Sequence, residues 1–185
     1  MTTTMLTACG SKSNNQSQEQ GETSELVINL DSIVIKPYLA FGSSLADVEK
    51  FMSENYADWE VKNPDSLECF PNGEEQSWGR SYGKGTHGME FDFNDARGSH
   101  LTIVSYDFFF PTPLEPVMAE LERLGFENKG EVRFDDFNAD LTYLFLSADG
   151  KLEVQVSSWE KDGGSWSISF QPTDEGDFEH LVDKK

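Results

Sequence analysis

Cysteine is almost absent from this 185-residue chain, which has only Cys9 and Cys69. Two thiols make neither a disulfide framework nor a four-ligand zinc site. Histidine is nearly as scarce. His87, His100 and His180 stand at no ligand spacing from a cysteine or from one another, so no transition-metal site is expected, and no cofactor. Basic residues are few, 14 Lys and Arg against 34 Asp and Glu, which leaves a formal net charge of −20. Such a surface repels nucleic acid, whose binding rests on Lys and Arg replacing phosphate counterions, and it repels anionic membranes too. It keeps a chain soluble and monomeric, and it suits a basic partner. No run of 18 apolar residues occurs, so no segment reads as a membrane-spanning helix. Nucleophile and phosphate signatures are missing as well. There is no GxSxG, and "GRSYGKGTHG" lacks the Gly-Lys-Ser/Thr ending of a P-loop. The chain is expected not to be an enzyme. Aromatics, by contrast, are plentiful at 12%, with 14 Phe and 4 Trp in a chain 37% hydrophobic. That is enough for one globular domain with a proper core.

The first 25 residues do not contribute to that core. Residues 10–25, "GSKSNNQSQEQGETSE", carry no apolar residue and no period, and read as a flexible polar tether. Immediately before them, Leu6-Thr7-Ala8-Cys9 resembles the lipobox of bacterial lipoproteins. The resemblance implies that Cys9 carries lipid, that residues 1–9 are the remnant of a signal ending at that cysteine, and that the domain stands off a bacterial envelope membrane, at the outer membrane or cell surface. Only eight residues precede Cys9, and "MTTTM" supplies neither a basic n-region nor an apolar h-region. The lipobox reading therefore requires an upstream start or a trimmed sequence. Otherwise Cys9 is a thiol in a polar tail, and a bridge to Cys69 stays open.

The body is expected over residues 26–175, followed by a polar tail at 176–185. "ELVINL" and "SIVI" read as short strands. Ser44 and Asp47 form a capping-box signature, and Leu45, Val48 and Met52, with Phe51 beside them, line one face of a helix from Leu45 to Asn55. A second helix opens with Thr112 as N-cap, Pro113 first and Glu115 closing its box; Gly125 ends it as a left-handed C-cap. Downstream of each helix, "MEFDFNDARGSHLTIVSY" and "LTYLFLSADGKLEVQVSS" read as hairpins with a glycine in the turn, and "GEVRFDDF" and "SWSISF" add strands. Phe108, Phe109 and Phe110 read as core at a junction.

The pairs Leu45/Leu114 and Val48/Val117 are each 69 residues apart, and Phe91/Tyr143 and Gly98/Gly150 are each 52 apart. The expected fold class is therefore α+β, with two tandem repeats (about 38–110 and 111–171) of one helix and an antiparallel meander, both helices packed on one sheet face. The segment "DWEVKNPDSLECFPNGEEQSWGRSYGKGTHG" in the first repeat reads as an irregular loop with one or two short strands. "FGSSLADVEKFM", a turn into a short helix and then a meander, resembles the SmpA/OmlA type of envelope lipoprotein and the β-lactamase-inhibitor-protein type. The resemblance implies binding of other proteins through a sheet face or loops, without catalysis.

Calcium receives little support. Asp136, Asn138 and Asp140 alternate, but Leu141 and Ser147 stand where an EF-hand needs Gly and Glu. "DFNDARG" offers Asp92, Asn94 and Asp95 and breaks the spacing at Ala96; alternate carboxylates on a strand read as a solvent face. The least acidic stretch of the body holds Trp78, Arg80, Tyr82 and Lys84. It is the expected partner-binding loop, since aromatic and Arg residues dominate binding hot spots; the competing reading packs Trp78 and Tyr82 inside. The expected function is a lipid-anchored, non-catalytic binding or assembly module of the bacterial cell envelope with a protein partner. The rival is an acidic secreted or cytosolic inhibitor or immunity-type protein that binds a basic partner.

Overall fold

The computed structural model describes residues 26–30, 33–72, 75–108, 114–132, 141–159 and 164–173. Strands β1 (Ile28–Leu30) and β2 (Ile33–Ile35) pair as an antiparallel ribbon. Helix α1 (Leu45–Asn55) follows, then β3 (Glu60–Val61), β4 (Glu68–Asn72), β5 (Glu75–Lys84), β6 (His87–Phe93) and β7 (Leu101–Phe108). Helix α2 (Glu115–Arg123) precedes β8 (Glu127–Val132), β9 (Leu141–Leu146), β10 (Leu152–Trp159) and β11 (Ser165–Pro172). Nine strands form one antiparallel sheet in the order β3-β5-β6-β7-β11-β10-β9-β8, with β4 pairing the N-terminal half of β5 and β3 its C-terminal half.

This overturns the α+β expectation of two helix-plus-meander repeats. The described residues hold eleven strands and only two helices, of eleven and nine residues, so the fold is predominantly antiparallel β. Two features account for the difference. The segment expected as an irregular loop supplies three whole strands, β3, β4 and β5, and the start of β6. And β7 pairs directly with β11, from Val104↔Phe170 to Phe108↔Trp166, so a single sheet runs through the chain. Strand β5 escaped notice because its second face is built from Gly79, Ser81 and Gly83, which give no apolar alternation to detect.

One sheet face is the core. Met89, Phe91 and Phe93 of β6 lie beside Val104, Tyr106 and Phe108 of β7, Ile168 and Phe170 of β11, and Val154 and Val156 of β10, all buried in one cluster. Val48 and Met52 of α1, Val117 and Leu121 of α2, and Ile28 and Ile35 of the ribbon join the same cluster. At the seam, the rings of Phe108 and Trp166 stack with centroids 3.7 Å apart. Phe109 and Phe110 lie outside the described residues.

Helix α1 begins as expected. Ser44 is in extended conformation and accepts from the Asp47 backbone, while Asp47 accepts from the Ser44 backbone at 3.1 Å. The preceding loop is stitched to the β6–β7 turn by Leu45 N–H to the Gly98 carbonyl at 2.7 Å and by Leu101 N–H to Ser43 at 2.9 Å. Gly98 has φ +65°, and a Cβ there would lie 2.8 Å from Leu45 Cβ, so only glycine fits. Ser44→Ala removes the side-chain half of the capping box, leaving the backbone N–H to Asp47 bond, and is expected to cost about 1 kcal/mol in urea unfolding.

Helix α2 starts later than expected. Leu114 occupies the N-cap position in helical conformation with no side-chain bond, and Pro116 sits in the first turn, where a missing N–H costs little. Thr112 and Pro113 lie outside the described residues. Gly125 closes the helix at φ +91°, as expected.

Candidate functional site

The sheet face opposite the core is polar, and its composition follows from strand alternation. Alternating with the buried Met89, Phe91 and Phe93, β6 presents Glu90 and Asp92 on the other side; between Tyr106 and Phe108, β7 presents Asp107. Their cross-strand neighbours are small, apart from Ile103. Glu90 stands between Ser81 and Ser105, Asp92 between Gly79 and Ile103, and Asp107 beside Gly88 and Ser167. The polar rows continue across the sheet. Ser105 and Ser169 hydroxyls meet at 2.9 Å, and Thr142 and Ser157 hydroxyls at 3.1 Å. Glu153 Oε1 accepts from both Gln155 and Gln171 Nε2 at 2.7 Å.

Glu153 is thus satisfied by two amides, whereas among the described residues Glu90, Asp92 and Asp107 act on one another, with Glu68 of β4 also raising Glu90. Burial, reinforced by the charge of Asp92 and a hydrogen bond to it, pushes the Glu90 carboxyl up to about 8. Burial raises Asp92 as well, with the bond from Glu90 acting against it. Asp107 is pushed up to about 6, first by burial and then by Asp92. At neutral pH, Glu90 therefore holds the proton and donates it to Asp92. The second Asp92 oxygen, Oδ1, is buried without a hydrogen-bond partner.

The desolvation has a visible source. A Cβ on Gly79 would collide with the Phe70 ring and come 2.9 Å from Glu90 Oε1. Glycine at that position lets the Phe70 ring and the carboxyl lie close over the backbone. Among the described residues, no Lys, Arg or His forms an ion pair with any of the three carboxylates. Nor does any group of three His, Cys, Asp or Glu among the described residues have the geometry to hold a metal ion. What the arrangement can do chemically is accept a cation supplied from outside, with loss of the Glu90 proton.

The stretch expected as a partner-binding loop is strand β5. Trp78, Arg80 and Tyr82 point to the core face, opposite Phe93, Phe91 and Met89. Arg80 is 5% exposed. Its guanidinium bonds the Asn63 carbonyl and lies 3.6 Å from Glu49 of α1. Tyr82 is buried with its ring edge-on to Phe91. Only Lys84, paired with Asp58 at the strand end, is exposed. The four residues do not make one accessible loop surface, because they lie on a strand with Arg80 and Tyr82 buried and Trp78 half-buried.

The weak calcium motif also disperses. Asp95 accepts from the Arg97 backbone at 2.7 Å and from Ser99, which locks the β6–β7 turn, while Asp92 belongs to the polar sheet face. Cys69 is exposed on β4. Cys9, Asp136, Asn138, Asp140 and His180 lie outside the described residues. The acidic trio was missed because alternate carboxylates read as a solvated face. The available signal was their setting, flanked in sequence by phenylalanines and glycines rather than by lysines.

No family model, no curated protein and no solved structure matches the chain.

Proposed function

We propose that the chain is a non-catalytic protein-binding module whose acidic sheet face receives a basic side chain of a partner, and that lipid on Cys9 tethers it to a bacterial envelope. The observation that carries the binding reading is the trio Glu90, Asp92 and Asp107, clustered, desolvated and, among the described residues, without an ion-pairing cation. Buried carboxylates without a countercharge are costly, and a guanidinium forms charge-assisted, bidentate bonds with them. The net charge of −20 draws a basic partner toward the protein before contact. The address rests separately on the lipobox-like Leu6-Thr7-Ala8-Cys9 and the polar tether. A secreted or cytosolic inhibitor or immunity role would use the same face.

Because an arriving cation displaces the Glu90 proton, binding is expected to tighten as pH rises from 6 to 9. The test is a titration with a tetra-arginine peptide, followed by amide NMR and by proton release in a weakly buffered cell. Shifts confined to residues 88–92 and 105–107, with proton release near pH 7 that is absent from Glu90→Gln, support the reading. Shifts spread evenly over the acidic surface, without proton release, overturn it. Detergent phase partitioning with intact mass, against Cys9→Ser, tests the anchor independently.

A further inference from the structure

A recess lies on the core side of the sheet, away from the acidic trio. It is a cleft of about 560 Å³ between the end of α1, the β2 strand and the β5–β6 turn. That volume falls within the range of small-molecule sites. Its walls are Tyr56, Trp59 and Tyr106, with Ile33 and Val34 on one side, and its rim carries Asn55, Asp58, Lys84, Thr86 and His87.

Three features distinguish it from a surface dent. First, the aromatic walls are mutually braced. Tyr56 and Trp59 meet edge-to-face at 5.5 Å, and Trp59 and Tyr106 at 5.6 Å, while the Tyr56 hydroxyl is fixed by Lys36 N–H at 2.9 Å. The rings are held in place before any ligand arrives. Second, Tyr106 is 2% exposed, lines the cleft, and has a buried hydroxyl with no hydrogen-bond partner. A buried hydroxyl is normally paired, so an unsatisfied one at the wall of a cleft calls for an incoming group. Third, Val34 is 48% exposed at the mouth, one of two large exposed apolar side chains among the described residues.

The lining also selects the chemistry. Asp58 and Lys84 pair with each other, so the rim carries one charge of each sign and no net charge. Burial, with Lys84 nearby, lowers the His87 pKa and keeps its ring neutral at pH 7. Neither an anion nor a cation is favoured over water there. Aromatic faces are electron-rich and attract C–H bonds of positive partial charge, and the rim provides both donors and acceptors.

We infer that this cleft binds a neutral saccharide, with a pyranose ring packed on Trp59 and a sugar hydroxyl bonded to Tyr106. Full-length protein titrated with N-acetylglucosamine, chitobiose, glucose and maltose, and with glycerol as control, tests it by amide and indole NMR. The expected result is saturable shifts at Tyr56, the Trp59 indole and residues 85–87 for at least one saccharide and none for glycerol. Tyr106→Phe is expected to retain the wild-type melting temperature while binding about three- to tenfold more weakly. Trp59→Ala removes the platform, and Val34→Asp at the mouth weakens binding without touching the ring stack. Absence of saturable shifts with all four saccharides overturns the inference. So does wild-type affinity in Tyr106→Phe, or a preference for a charged ligand such as phosphate or butylamine over every saccharide.

Discussion

Glu90→Gln is expected to stabilise the protein at pH 9 by roughly 1–3 kcal/mol and to leave it nearly unchanged at pH 5. In the folded chain the Glu90 carboxyl titrates at about 8, through burial and the neighbouring Asp92. In the unfolded chain it titrates near the ordinary glutamate value of about 4.3. Between these values the folded state holds a proton that the unfolded state has released. Stability therefore falls as pH rises through this window, and the contribution lost is largest above pH 8. Glutamine carries no charge at any pH, and its amide can donate to Asp92 as the acid does, so the variant escapes the penalty. Urea unfolding at pH 5, 7 and 9 checks the sign. Wild type should weaken from pH 6 to pH 9 while Glu90→Gln weakens less. Equal stability of the two proteins at pH 9 would show that the carboxyl is solvated and ordinary, and would remove the basis for a cation-accepting face.

Trp166→Ala is expected to cost about 3–5 kcal/mol, whereas Trp166→Phe costs about 1 kcal/mol or less. Trp166 sits where β11 meets β7, stacked on Phe108 at an interplanar angle of 18° and 2% exposed. Alanine leaves a large cavity at the junction that unites the sheet. Phenylalanine keeps the stack. It also deletes an indole N–H that is buried without a partner, so part of the lost ring area is offset. Chemical denaturation gives the two costs. Hydrogen exchange at Ser105 to Asp107 and Ser167 to Ser169 shows whether the seam opens first. Equal costs for the two variants would place the stabilising role in the indole nitrogen rather than in the stacked ring.

These two residues differ in how far the amino-acid order reveals them. Trp166, with Ile168 and Phe170, forms a period-two apolar face that reads as a strand at sight, and α1 is equally plain. Ser44, Asp47 and the stripe Leu45, Val48, Met52 are all local signals, because a cap bonds within three residues and a helix repeats every 3.6. Glu90 is visible only as one of 34 acidic residues. Its peculiarity comes from Phe70, twenty positions away and lying over Gly79, and from Asp92 on the same face. Arg80 looks like surface for a similar reason. Its partners, Glu49 and Asn63, are distant in sequence, and burying its guanidinium makes sense only when both are supplied.

Composition and local pattern determined that the chain is strongly acidic, rich in aromatics and built on a hydrophobic core. They also determined where α1 begins and where the glycine at 125 stops α2. Tertiary structure decided that β7 and β11 join and that a glycine- and serine-rich stretch is a long strand of the sheet, paired on both sides near one edge. It also decided that three carboxylates share a face on which none of them forms an ion pair with a described Lys, Arg or His. The physical reason is the range of the interactions involved. Capping and helical periodicity act over a turn of chain, while strand pairing, burial and charge coupling depend on which distant segments are brought side by side.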